Sequence, residues 1–196
     1  MSIRRNDDFA WANKMVLGLA VLLNRAFSES ASQEGLAASE AEIETWGRSK
    51  PVSFEPTLSR PSASREGRYF PELWMLAPHH AVGLQYFHIA QIVLIVLRKR
   101  VSTRPYEHLV EDRARERQIR HHLKIIVGLA ISNERAENIW FTARHCLSVW
   151  AGCLRKRGDQ QAALQFLRDM EQRTGWRTAA PANSMRLQWD EDSDDE

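Results

Sequence analysis

Seven histidines and two cysteines are the side chains of this 196-residue sequence best suited to metal or nucleophilic chemistry, and their spacing argues against both. The histidines fall as His79-His80, His88, His108, His121-His122 and His145. Adjacent side chains on a helix point about 100° apart, so neither pair is expected to chelate one ion, and His80 and His88 are two turns apart. His145 beside Cys146 offers the residue types of a Cys/His nucleophile, but neighbours on a helix diverge. Cys146 and Cys153 lie seven residues apart on one predicted helix. That separation is about 10 Å along the axis, beyond disulfide reach, and small buried core residues in a reducing compartment are expected. A phosphate-binding glycine loop, G-x-S-x-G and H-E-x-x-H do not occur. The expectation is a chain that is not an enzyme, with no catalytic, cofactor-binding or metal-ligating residues and no cofactor. An enzyme would need polar groups converging around His88, Arg144 or His145.

Charge narrows the partners less than it first promises. The net charge of +2 is close to balance. Arginine and lysine gather at 113–124, but Glu111, Asp112 and Glu116 share that surface and no aromatics interleave, so a solvated face is expected rather than a nucleic-acid interface. The end of the chain places Trp189 beside six carboxylates. Aromatic-plus-acidic tails can act as activation segments, yet a plain solvating end fits the composition better. A secretory signal is disfavoured: Arg4 and Arg5 precede an apolar run at 15–23, but Asp7 and Asp8 intervene and no small-x-small cleavage site follows. The apolar run at 84–97 covers 14 residues, about 21 Å of helix against a hydrocarbon core of about 30 Å, so no membrane partner is expected.

These residues must be positioned by helices. At 132–176, Ile139, Trp140, Ala143, Leu147, Trp150, Ala151 and Leu154 recur at helical steps, and Ala163, Phe166, Leu167 and Met170 repeat the pattern. Between them stand Arg155, Lys156 and Arg157, then Gly158 and Asp159. Cations suit a helix C-terminus, Gly158 suits the left-handed residue after it, and Asp159 suits a cap on the next helix.

Further upstream, Asp7 or Asp8 caps a helix to residue 27 whose stripe is Trp11, Met15, Leu19, Leu22 and Ala26, widened by Val16, Ala20 and Leu23 as if covered on more than one side. A weaker helix follows at 33–46 on Leu36, Ser39, Ile43 and Trp46, ended by Gly47. A long loop with Pro51, Pro56 and Pro61 spans 47–67, pinned by Phe54 and Leu58, and 69–74 returns to order as a short extended or single-turn segment. Pro78 opens a nearly all-apolar core helix ending near the basic residues 98–100. Ser102 and Thr103 supply caps for a further helix at 106–131. After residue 178, Ala179-Ala180-Pro181 breaks the helix, leaving at most one turn at 185–189. No stretch alternates with a two-residue period. The fold class is all-α: an array of about six antiparallel helices with a long Pro-containing loop and an acidic disordered tail. The division is a helical domain at 1–178 and a flexible acidic tail at 179–196.

Four segments together resemble a known family. Tyr69-Phe70-Pro71-Glu72-Leu73-Trp74-Met75-Leu76 looks like the opening of the last third of the fungal-specific transcription factor domain, the regulatory region of zinc binuclear cluster transcription factors. His80-Ala81-Val82-Gly83-Leu84-Gln85-Tyr86-Phe87-His88-Ile89-Ala90 continues the likeness. So do Ile126-Val127-Gly128-Leu129-Ala130-Ile131-Ser132-Asn133 and Ala143-Arg144-His145-Cys146-Leu147. The resemblance covers roughly 7–176. Family members carry a six-cysteine zinc cluster that reads DNA, whereas this sequence holds only Cys146 and Cys153. The resemblance therefore implies a nuclear effector region, incomplete at its N-terminus, with no direct DNA contact. Its implied partners are proteins of the transcription machinery, a paralogous regulator or a small molecule. If further helices lie upstream, 15–23 and 84–97 should expose apolar surface. The alternative is a cytoplasmic helical adaptor.

Overall fold

A computed structural model describes residues 7–28, 32–98 and 104–191. Arg4, Arg5, Ser30, Ala31, Lys99, Arg100, Ser102, Thr103 and the acidic end at 192–196 lie outside the described residues. Among the described residues there are seven α-helices, one more than expected, and the fold is all-α. They are α1 (Asp8–Phe27), α2 (Gln33–Ser49), α3 (Pro78–Leu97), α4 (Pro105–Ser132), α5 (Glu137–Trp150), α6 (Arg157–Thr174) and α7 (Ala179–Glu191).

α1 starts where its sequence says it should: the Asp7 carboxylate accepts from the Ala10 amide at 2.9 Å. Its buried stripe is Ala12, Met15, Leu19 and Leu22, laid against α3 and α2. The expected cover on a second side is not seen among the described residues. Ala20 and Leu23 are exposed, as are Phe9, Leu17 and Phe27. Polar links fix α2 to α1: the Trp46 indole donates to the Trp11 carbonyl at 2.9 Å, and Arg25 donates to Ser39 Oγ at 2.9 Å and to the Gly35 carbonyl at 3.5 Å. Gly47 does not end α2, which runs through it to Ser49. The Phe87 ring lies where a Cβ on Gly47 would sit.

α3 is the central helix, packed against both α1 and α4. Pro78 takes its first turn, as expected. The helix has 20 residues, so by length and composition it is long and apolar enough to cross a membrane, but much of it is buried inside this fold. Gln85, fully buried within it, donates to the carbonyls of Ile126 (3.2 Å) and Ile139 (2.9 Å), tying α3 to α4 and α5 at once.

The hairpin of α5 and α6 forms, but its turn is built differently from the expectation. After α5 a single 3-10 turn at Ala151–Cys153 intervenes, and α6 begins at Arg157, so Arg155 to Arg157 do not occupy the last turn of α5. Gly158 lies inside α6 without a left-handed φ. Asp159 is not the cap; it is 1% exposed and pairs with Lys124 of α4 at 2.7 Å. A buried carboxylate needs such a partner, and here that need outweighs the capping preference.

The segment after residue 178 also departs from expectation. Pro181 falls in the first turn of α7, where its missing N–H costs nothing. Met185 is fully buried, and the Trp189 indole donates to the Ala151 carbonyl at 2.8 Å. The flexible tail expected at 179–196 is thus ordered helix as far as Glu191.

Candidate functional site

The chain between α2 and α3, residues 51–77, forms a strap laid across α4. Phe54 anchors its start, fully buried against Trp46 and His80, while Leu58 stays partly exposed. Two short strands, β1 (Leu58–Arg60) and β2 (Glu72–Trp74), pair antiparallel with Ser59 opposite Leu73. The loop expected at 47–67 thus contains one short strand, β1, whose partner β2 lies in the segment expected at 69–74 as extended or single-turn; no alternation announced the pairing. Three residues per strand are too few to show a period.

α4 is shaped to receive this strap. Pro71 crosses the helix at Gly128, where an added Cβ would come within 2.3 Å of the Pro71 carbonyl oxygen. One turn further on, Ser132 Oγ accepts from the Leu73 amide at 2.9 Å. Asn133 works in both directions: its Oδ1 accepts from the Met75 amide at 2.9 Å and its Nδ2 donates to the Leu73 carbonyl at 2.8 Å. Tyr69 rests against α6 at Gly158, where a Cβ would come within 2.2 Å of its ring. The segments 69–76 and 126–133, singled out in the sequence as separate motifs, are therefore two halves of one contact.

The strap divides the surface into two concavities. On one side a cleft of about 540 Å³ lies between α2, α3 and α4 and is lined by Lys50, Phe87, His88, His121, Lys124 and Leu129. That volume is within the range of small-molecule sites. Its cations are already partnered: Lys50 with Glu55, Lys124 with Asp159 and Arg60 with Glu72. On the other side a wider, open groove of about 1200 Å³ runs between β2 and the hairpin of α5 and α6. Tyr69, Trp74, Ile131, Trp140 and Phe166 give it an apolar floor, with Glu134, Asp169 and Arg173 at its edges. Trp74 is half exposed there.

The histidines are sorted by this geometry. His88 of α3 meets His122 of α4 through their Nδ1 atoms at 2.8 Å. One of the two must donate and the other accept, so the contact requires them not to be doubly protonated. Burial pushes the His88 pKa down to about 3, helped by His122, His121 and Lys50 nearby. Burial and His121 push His122 down to about 4. His79 and His80 do not diverge as the helical angle suggested: their ring centroids are 4.3 Å apart, and Nε2 of His80 lies 2.9 Å from an oxygen of Asp8. His145 is exposed, and the neighbouring Cys146 is buried with its thiol pKa raised to about 12 by desolvation, which leaves it unreactive at neutral pH. Neither Arg144 nor His145 lines the cleft or the groove. Sequence reasoning missed Gly128, Ser132, Asn133 and Asp159 as positioning residues. Gly128, Ser132 and Asn133 had lain inside a quoted motif without a stated role.

Two cations of the basic stretch of α4, Arg120 and Lys124, are engaged within the fold. Glu116 accepts from Arg155 at 2.9 and 3.1 Å and from Arg120 at 2.9 Å, and Arg120 also donates to the Cys153 carbonyl at 2.9 Å. Arg155 first, then Arg120, holds the Glu116 carboxyl below its ordinary pKa.

Among curated proteins the chain is similar to "Transcription activator AMTR1" of Alternaria alternata, with 24% identity over 178 residues that cover 79% of this chain and 21% of the activator. The chain thus spans about a fifth of that relative's length. No family model matches the sequence. No solved structure matches it either.

Proposed function

We propose that this chain is a transcription-regulatory effector module, nuclear, that acts by binding rather than by turnover and makes no direct contact with DNA. The observation that carries the proposal is the similarity to a fungal transcription activator across 79% of the chain. The structure supports a binding role through the strap, which places an apolar groove and a smaller cleft side by side on one scaffold. The groove has the size and aromatic lining to take a protein segment from the transcription machinery or a paralogous regulator. The cleft has the size to take a small effector.

Fusing the chain to a heterologous DNA-binding module above a reporter tests this reading. Reporter output should rise or fall relative to the DNA-binding module alone. Trp74→Ala, which removes the exposed indole from the groove, should reduce that effect while leaving the fold intact. Unchanged output in both activation and repression formats would overturn the proposal.

A further inference from the structure

We propose that Asp8, His79 and His80 form a binding site for a divalent transition-metal ion such as zinc, which pins the start of α1 to the start of α3. Their candidate ligand atoms all lie within 4.8 Å of one another. Asp8 is the first residue of α1, and His79 and His80 follow Pro78 in the first turn of α3. The site is partly enclosed: the His80 side chain is 2% exposed and that of Asp8 26%. Phe9 covers His79 edge-on with centroids 5.9 Å apart, and Phe54 lies against His80 at 4.7 Å.

Two imidazole nitrogens and one carboxylate oxygen suit zinc, cobalt or nickel better than magnesium or calcium, which favour all-oxygen sets. Ligand distances to such an ion are about 2.0–2.2 Å, so the three ligand atoms would draw closer together around it. Three protein ligands leave a fourth tetrahedral position for water. An Asp–His hydrogen bond by itself would explain the Asp8–His80 contact. It would not bring the ligand atom of His79, whose ring meets that of His80 edge-on, to within 4.8 Å of the other two.

Ligation through Nε2 of His80 would require the tautomer that carries its proton on Nδ1, leaving the Nε2 lone pair for the ion. The partial positive charge at the two helix starts opposes a cation, and the carboxylates of Asp8 and Asp7 offset it.

Titration of the full chain with zinc chloride, followed by calorimetry and by thermal melting, tests the site. The expected result is one ion per chain and a melting temperature that rises with zinc concentration. Asp8→Asn and His79→Gln should each weaken binding by at least about tenfold, while His121→Gln binds as the parent does. His79→Gln leaves the Asp8–His80 bond in place, so it reports on ligation even where Asp8→Asn loosens the fold. No saturable binding at millimolar zinc, or binding that survives His79→Gln, would overturn the proposal.

Discussion

Gly128 shows how much one absent methyl group can decide. The atom nearest a new Cβ there is a backbone oxygen at 2.3 Å, and backbone held by three hydrogen bonds from Ser132 and Asn133 cannot step aside cheaply. Gly128→Ala should therefore destabilise the fold by about 1–3 kcal/mol, the usual cost of overpacking. Gly158→Ala should cost less, because the neighbour there is the Tyr69 ring, which can turn. Denaturant midpoints of the two variants give the comparison. The His88–His122 contact sets a second expectation at this scale. Both rings have pKa values lowered in the folded state, to about 3 and about 4, whereas an unfolded histidine titrates near 6.5. Below about pH 6.5 the unfolded chain binds more protons than the folded one, so stability falls as pH falls. It should be intact above about pH 6.5 and drain away towards pH 4. Urea midpoints measured across this range should show the loss, and the double variant His88→Phe/His122→Leu should flatten it.

Among the elements, α7 changes the picture most. Trp189 is 9% exposed and hydrogen-bonded to Ala151, and Met185 is fully buried. Trp189→Ala should cost about 3–5 kcal/mol, as aromatic truncation in a core does, and a chemical melt of the variant checks it. A solvated tail would show no change. The sequence concealed α7 because its buried face carries only one residue per turn, Pro181, Met185 and Trp189, with small and polar residues between them. Pro181 also reads as a breaker unless it falls in a first turn, and where the first turn falls is decided by packing. The apolar-rich helices were legible: α1 follows from period and capping, α5 from period, and α3 from its apolar run behind Pro78. The strap was not, since its hold on α4 comes from Ser132, Asn133 and Gly128, about sixty residues from the backbone they bind. The candidate site was therefore visible only as isolated motifs, and the meeting of Asp8 with His79 and His80 follows from helix packing that no local pattern encodes.

For the whole molecule, the expected exposure of apolar surface divides between two helices. α3 is covered along most of its length and exposes Val96 only near its end, whereas α1 presents Phe9, Leu23 and Phe27 to solvent beside its buried stripe. Contiguous apolar surface of this kind favours association. The chain should self-associate with rising concentration and bind a hydrophobic dye. Leu23→Glu/Phe27→Glu should reduce both without lowering the melting temperature, as light scattering and calorimetry would show. The chain is thus a helical scaffold with one well-covered central helix and one outer helix only half clothed.

The strap has a consequence for how the molecule can be taken apart. Its tip around residues 59–67 is mostly exposed. Everything before the tip reaches the remainder through buried faces, chiefly α1 on α3. A nick there would cut the chain and leave the fold standing, so α1 and α2 form a natural peptide that could be supplied in trans to the other five helices. The fold is then a heterodimer in waiting, joined by a tether that the assembled form does not need.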